Sequence, residues 1–118
     1  MKPKVYLETT VVSYVTALPT RDIVQAAHQQ ITREWWERRD RLNLFVSQAV
    51  LREAARGDAE AAARRLAAVK GVPVLAVGAQ VTELAERFLH MNVIPAKAVI
   101  DAVHVAVAVV NGMDYLLT

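Results

Sequence analysis

Short apolar runs alternate with longer segments of helical periodicity along the chain. The runs are apolar throughout, which is typical of strands that are buried on both faces of a sheet. They are Val5–Leu7, Leu44–Val46, Val74–Val77 and Tyr115–Leu117. Strands separated by helices form parallel sheets through right-handed crossovers. The pattern therefore predicts a single three-layer α/β/α domain over residues 1–118, with a short parallel sheet at its centre.

The first long periodic segment predicts a helix that begins after Thr20. Its apolar stripe, which we expect to face the core, is Val24, Ala27, Ile31 and Trp35. Trp36 falls on the polar face of the same helix. An exposed tryptophan marks an interface in some proteins and merely covers a helix edge in others, and the sequence leaves both readings open.

Capping residues mark the starts of three further helices, after Ser47, Asp58 and Gly78. The first of these is expected to end at Gly57, because glycine commonly terminates a helix. A last helix is predicted to begin with Pro95 in its first turn and to end before Gly112. It is apolar on most sides, which indicates a helix packed centrally in the molecule.

Composition excludes several classes of protein. Hydrophobic residues make up 54% of the chain and 14 basic residues face 12 acidic ones, so intrinsic disorder is excluded. With no cysteine there is no disulfide, no thiolate metal site and no cysteine nucleophile, and we expect a cytoplasmic protein. The most apolar stretch, Ala98–Val110, is too short to span a bilayer and contains Asp101 and His104, so no membrane association is expected.

Three acidic residues are expected at the carboxyl edge of the sheet, where ligands bind in such folds. Glu8 directly follows the first strand, Glu53 lies in the second turn after Ser47, and Asp101 lies early in the last helix. Carboxylates that converge in this way repel one another unless a cation lies between them. Because all the ligand atoms would be oxygen, the predicted metal is Mg²⁺ or Mn²⁺.

Each of these residues also has a purely structural interpretation. Glu8 is then a solvated strand end, and Glu53 is a surface ion-pair partner of a neighbouring arginine. Asp101 interrupts an apolar run, where a buried carboxylate needs a partner, a metal or an opening to solvent. His104 follows one turn later on the same face, and we favour it as the hydrogen-bond partner of Asp101 over a metal ligand.

Other chemistries lack their sequence signatures. The chain contains neither a dinucleotide-binding G-x-G-x-x-G after the first strand nor a P-loop, and it has no nucleophile elbow. The third strand ends in Ala76, Val77 and Gly78, without the acidic residue that a phosphoacceptor receiver would carry there. A small-molecule enzyme is disfavoured, because no segment is available to enclose a ligand.

Four segments of the chain together resemble the PIN-domain ribonucleases, and within them the VapC-like toxins of type II toxin-antitoxin systems. The first is similar to the family's strand followed by an acidic residue and two hydroxyl residues, and the second to its glutamate-bearing helix. The third is similar to its Asp-Ala-x-His-x-Ala segment, and the fourth to its last strand. These segments are Val5–Thr10, Val50–Glu53, Asp101–Ala106 and Gly112–Thr118.

The resemblance implies a Mg²⁺- or Mn²⁺-dependent endoribonuclease that hydrolyses RNA phosphodiester bonds. By matching positions, it implies that the metal ligands and catalytic carboxylates are Glu8, Glu53 and Asp101. Thr10 would orient the first carboxylate or its water, and Lys97 and Arg56 would contact substrate phosphates. The family also implies a cognate antitoxin protein that fills a groove beside the site. The high apolar content leads us to expect a homodimer.

The chain departs from the family pattern at two positions. Glu8 stands where the family usually has aspartate, and the family's fourth acidic residue comes just beyond the strand that ends here at Thr118. Asp114 precedes that strand, so we expect it at the opposite edge of the sheet, in the turn after Gly112. Either the chain is truncated at its C-terminus or its metal site is incomplete. The alternative function is therefore a catalytically degenerate PIN domain that binds protein or RNA.

Overall fold

A four-stranded, all-parallel sheet forms the centre of the molecule in a computed structural model that describes residues 1–118. Its strands are β1 (Lys4–Leu7), β2 (Asn43–Ser47), β3 (Val74–Leu75) and β4 (Tyr115–Leu117). They lie in the order β3-β2-β1-β4. The predicted mixed α/β class with a short parallel sheet is confirmed.

Six helices surround the sheet and complete the predicted three-layer arrangement. They are α1 (Thr9–Thr16), α2 (Ile23–Glu37), α3 (Gln48–Ala54), α4 (Ala59–Ala68), α5 (Ala79–His90) and α6 (Val99–Val110). Helix α1 contacts α2, α3 and α4, while α5 makes its main contact with α6. No helix combines the length and the apolar character needed to cross a membrane.

Strand β1 lies at the middle of the hydrophobic core. Val5, Tyr6 and Leu7 are all buried, so this strand is covered on both faces as predicted. The edge strands differ: Val74 of β3 is 48% exposed and Tyr115 of β4 is 62% exposed. The expectation of full burial is wrong for these two strands, because each has a neighbouring strand on only one side.

The strand order reverses beside β1. The chain builds the sheet in one direction from β1 to β3 and then crosses back, so that Val5 pairs with Leu44 on one side and with Tyr115 on the other. In parallel α/β sheets a reversal of this kind opens a crevice at the carboxyl ends of the strands. The residue that follows β1 in this crevice is Glu8.

The helix starts follow the capping residues, with two adjustments. The Ser47 hydroxyl accepts from the Val50 amide at 3.3 Å, and the Asp58 carboxylate accepts from the Ala61 amide at 3.0 Å, as predicted. Helix α2 is capped by Asp22 rather than Thr20, because the Asp22 carboxylate reaches a free amide of the first turn. Helix α6 begins at Val99, four residues beyond Pro95, which instead starts a separate turn.

Three residues of the predicted inward stripe of α2, Val24, Ala27 and Ile31, are exposed to solvent, and only Trp35 packs against the core. Val24 and Ile31 are 64% and 65% exposed, whereas Gln29 is buried. The cause is polar anchoring, since the Gln29 amide donates to the Leu18 carbonyl and the Arg33 guanidinium donates to the Ala17 carbonyl at the end of α1. These bonds turn the polar side of α2 toward α1, which leaves most of the apolar stripe outside.

The two tryptophans at the end of α2 share one environment. Trp35 and Trp36 are both half-buried and pack against the core, with ring centres 6.3 Å apart. The Arg39 guanidinium lies 4.4 Å from the centre of the Trp36 ring, a cation–π contact. Trp36 is therefore not an exposed side chain. Of its two predicted roles, an interface residue or a residue that covers the edge of the helix, the structure favours the second.

Candidate functional site

Glu8 lies at the carboxyl edge of the sheet, directly after β1. Its backbone amide donates to the Leu117 carbonyl at 3.0 Å, which ties the ends of β1 and β4 together. Glu8 is only 9% exposed and stands at the N-cap of α1, yet its side chain makes no capping hydrogen bond. The positive end of a helix dipole favours a carboxylate at this position.

The carboxylate of Glu8 has no protein partner. The single contact between a basic and an acidic side chain at ion-pair distance joins His104 to Glu53, and no side chain donates a hydrogen bond to Glu8. Every fully buried side-chain polar atom does have a hydrogen-bond partner, so the Glu8 oxygens must still reach the surface. The Glu8 carboxylate is therefore met by solvent alone, and a cation bound there would supply a counter-charge that the protein does not.

Glu53 is held through one carboxylate oxygen. Its Oε1 accepts from the Thr9 hydroxyl at 3.1 Å and lies 2.6 Å from His104 Nε2. The Glu53 side chain is 24% exposed, whereas that of His104 is 2% exposed. This contact excludes the reading of Glu53 as a surface ion-pair partner of an arginine.

A line of hydrogen bonds runs from the sheet to Glu53, and we call it the Tyr6 chain. The Tyr6 hydroxyl lies 2.7 Å from Ser47 Oγ and 2.6 Å from His104 Nδ1. His104 then contacts Glu53 through its other ring nitrogen. The Tyr6 chain is defined by Ser47, Tyr6, His104 and Glu53, which come from β2, β1, α6 and α3.

The phenol of Tyr6 keeps its proton at neutral pH. Burial raises the pKa of Tyr6 from 10.0 to about 12, and the negative charges of Glu8 and Glu53 act in the same direction, against a lowering by the Ser47 hydrogen bond. Tyr6 therefore acts as a neutral donor and acceptor within the Tyr6 chain.

Of the three possibilities stated for Asp101, a partner, a metal or an opening to solvent, the structure shows the opening to solvent. Asp101 lies in the first turn of α6 and is exposed, so solvent and the positive end of the helix dipole stabilise the charge of its carboxylate without a protein partner. His104 is buried as a structural hydrogen-bonding residue, but its partners are Tyr6 and Glu53 and not Asp101. His104 brings the first half of α6 to the edge of the sheet that holds Glu53.

The remaining predicted site residues are exposed. Thr10 makes no side-chain hydrogen bond, and the hydroxyl that contacts a carboxylate belongs to the preceding Thr9. Lys97 precedes α6 and Arg56 follows α3, both with side chains in solvent. Their roles toward substrate phosphates remain predictions.

The three predicted metal ligands do not surround one point. No group of three or more histidine or acidic side chains is close enough together to hold a metal ion. Glu8 and Glu53 each act electrostatically on Tyr6, where their negative charges help to raise its pKa. Two carboxylates fit the chemistry of Mg²⁺, which usually takes one or two protein carboxylates and keeps several waters.

Asp114 lies at the far edge of the sheet, as predicted. Its carboxylate accepts from the Lys4 amide at 2.8 Å, and its own amide donates to the Lys4 carbonyl. These bonds join the beginnings of β1 and β4, so Asp114 does not replace an acidic residue at the carboxyl edge.

Sequence reasoning missed Tyr6 and Thr9. The sequence contained a signal for both residues. Tyr6 lies inside a fully apolar strand, where its hydroxyl needs a hydrogen-bond partner. Thr9 directly follows Glu8, so its hydroxyl is as close to the edge of the sheet as that of Thr10. No model of a protein family matches the chain, and no curated protein shows significant similarity to it.

Proposed function

We propose that this chain is a Mg²⁺- or Mn²⁺-dependent endoribonuclease whose cation is held at the carboxyl edge of the sheet. The observation that carries the proposal is Glu8, a residue that is 9% exposed at a helix N-terminus and whose carboxylate has no protein donor or counter-ion. A divalent cation at this edge would supply the missing charge.

Glu8 and Glu53 are the residues that would hold the cation. Oε1 of Glu53 is engaged by His104 and Thr9, while Oε2 has no donor and belongs to a side chain that reaches solvent. When bound, the cation would lower the pKa of a water molecule and offset charge on the phosphate undergoing hydrolysis. Asp101, which is exposed one turn before His104, would act on water or on a second bound ion.

Substrate and partners belong to the same proposal. RNA phosphates would be met by Lys97 and Arg56, which are exposed and cationic. The resemblance to VapC-like toxins supports a cognate antitoxin as protein partner. The high apolar content supports a homodimeric state, and the absence of cysteine supports a cytoplasmic location.

The decisive experiment compares wild type with Glu8→Gln, which keeps the shape of the side chain and removes its charge. We expect Mn²⁺-dependent cleavage of a panel of single-stranded and structured RNAs to fall by about 100-fold, the size typical for loss of one preorganised electrostatic contact. We also expect Mn²⁺ to raise the Tm of wild type but not that of Glu8→Gln, since a ligand stabilises only the state that binds it.

Glu60→Gln is the matched control, because Glu60 is an exposed carboxylate in the first turn of α4. It should cleave RNA and respond to Mn²⁺ as wild type does. Asp101→Asn tests the proposed action of Asp101 on water or on a second bound ion. We expect this variant to lose cleavage but to keep the rise in Tm that Mn²⁺ causes in wild type. The proposal fails if wild type neither cleaves RNA nor gains thermal stability from Mn²⁺.

A second candidate function is a PIN-like module that binds protein or RNA without cleaving it. It is favoured by one observation, that no three acidic or histidine residues lie within reach of a single metal ion. RNA binding by gel shift without any Mn²⁺-dependent cleavage or stabilisation would select this candidate over the nuclease.

A further inference from the structure

The Tyr6 chain is buried at Ser47, Tyr6 and His104 and reaches solvent at Glu53. Tyr6 and Ser47 are 0% exposed and His104 is 1% exposed. Its residues are distant in sequence, with 98 positions between Tyr6 and His104. Buried polar groups of this kind persist only when each has its hydrogen-bond partner, and here each does.

With a neutral His104 ring, the contacts are compatible with one arrangement of protons. Ser47 Oγ accepts from the Val50 amide, so its own hydrogen is free to reach the Tyr6 oxygen. The Tyr6 hydrogen then points at Nδ1 of His104, which must be bare to accept it. The imidazole proton therefore resides on Nε2 and is donated to Glu53 Oε1.

The alternative neutral tautomer is unfavourable. With the proton on Nδ1, a bare Nε2 would face a carboxylate oxygen at 2.6 Å, so that two acceptors would meet without a hydrogen. Only the Nε2-protonated form satisfies every group of the Tyr6 chain with a neutral ring. One oxygen of Glu53 is then fixed by two donors, His104 and Thr9.

We propose that Tyr6 and His104 are positioning residues, which fix Oε1 of Glu53 and thereby direct its free Oε2 toward the cation. The inference rests on the proposed cation site. Outer hydrogen bonds of this kind orient metal-binding carboxylates and tune their affinity, and removing one typically lowers metal affinity by 10- to 100-fold.

The test measures Mn²⁺ affinity by calorimetry in three variants. His104→Leu removes the donor to Glu53 and should weaken Mn²⁺ binding by about tenfold or more. His104→Gln places an amide N–H near the position of Nε2 and should restore part of the lost affinity. Val107→Ala is the matched control, because Val107 is also buried on α6 but makes no polar side-chain contact.

The outcomes separate the two proposals. If wild type binds Mn²⁺ and His104→Leu binds it equally well, the positioning role is wrong while the cation site stands. If wild type binds no Mn²⁺, the cation site itself is wrong and the inference falls with it. Loss of affinity in Val107→Ala as large as in His104→Leu would also overturn the positioning role, since any damage to α6 would then have the same effect.

A spectroscopic readout tests the proton arrangement without metal or RNA. Nitrogen-15 correlation spectra of the imidazole should show His104 neutral with a protonated Nε2 and a bare Nδ1 in wild type. Tyr6→Phe removes the donor to Nδ1 and should shift the Nδ1 signal, whereas Val107→Ala should not. A protonated Nδ1 with a bare Nε2 in wild type would overturn the inference.

Discussion

A single phenol shows how burial and hydrogen bonding act together in this protein. Tyr6 adds aromatic area to the core and places its hydroxyl between Ser47 and His104. Its proton is needed there, since an ionised Tyr6 would face the carboxylates of Glu8 and Glu53. The folded state therefore holds this proton more tightly than the unfolded state does.

This difference makes stability dependent on alkaline pH. The pKa of Tyr6 is about 12 in the folded state and 10.0 in the unfolded state. The contribution of protonated Tyr6 to the free energy of unfolding is therefore fully present below pH 10 and is lost as pH rises from 10 to 12. We expect wild type to lose its stability advantage over Tyr6→Phe by about 1.4 kcal/mol for each pH unit in this window. Urea unfolding at several pH values from 9 upward measures it.

Lysines and other titrating groups are common to wild type and Tyr6→Phe, so their effect on the free energy of unfolding cancels in the difference between the two proteins. Tyr115→Phe, which removes an exposed phenol at the edge of the sheet, controls for the loss of a tyrosine as such. A stability difference between wild type and Tyr6→Phe that stays constant from pH 9 to 11 would contradict the assignment.

At the scale of elements, short helices depend on side chains that satisfy their ends. Asp58 caps the start of α4. The Arg64 side chain donates to the Thr16 carbonyl at the end of α1, and Arg65 donates to the Ala54 carbonyl at the end of α3. Side chains of α4 thus complete two other helices, which couples the local stability of these elements.

The cap of α4 provides a test at this scale. Asp58→Ala removes the acceptor for the Ala61 amide and should lower the free energy of unfolding by about 1 kcal/mol. Asp58→Asn keeps an oxygen at the same place and should stay close to wild type. If Asn costs as much as Ala in urea titrations, the charge rather than the hydrogen bond stabilises the helix start.

At the scale of the whole molecule, one core joins both helical layers. Buried residues from β1, α1, β2, α3, α5 and α6 form one continuous cluster, and Trp35 and Trp36 of α2 pack against it. An arrangement with a single core is expected to unfold cooperatively.

The prediction is that two optical probes report the same transition. Far-UV circular dichroism follows all helices, whereas tryptophan fluorescence follows the end of α2, where both tryptophans lie. The midpoints in urea should coincide. A fluorescence transition at lower urea than the dichroism transition would mean that α2 detaches before the sheet unfolds, and it would refute the single-domain prediction.

Local patterns in the sequence determined the class of fold and much of its element order. Apolar runs specify strands and caps specify helix starts because both act within a few residues, as at Ser47 and Asp58. The position of Glu8 was predictable for the same reason, since it directly follows the central strand. The cation and the reaction at this edge stay proposals.

Tertiary structure alone decided which polar groups meet and which faces are covered. His104 pairs with Tyr6 and Glu53 rather than with nearby Asp101, because the strands and α3 bring them to its buried face. Most of the stripe of α2 faces outward because Gln29 and Arg33 anchor the opposite side. Such contacts depend on residues far apart in the chain, and periodicity within one helix carries no information about them.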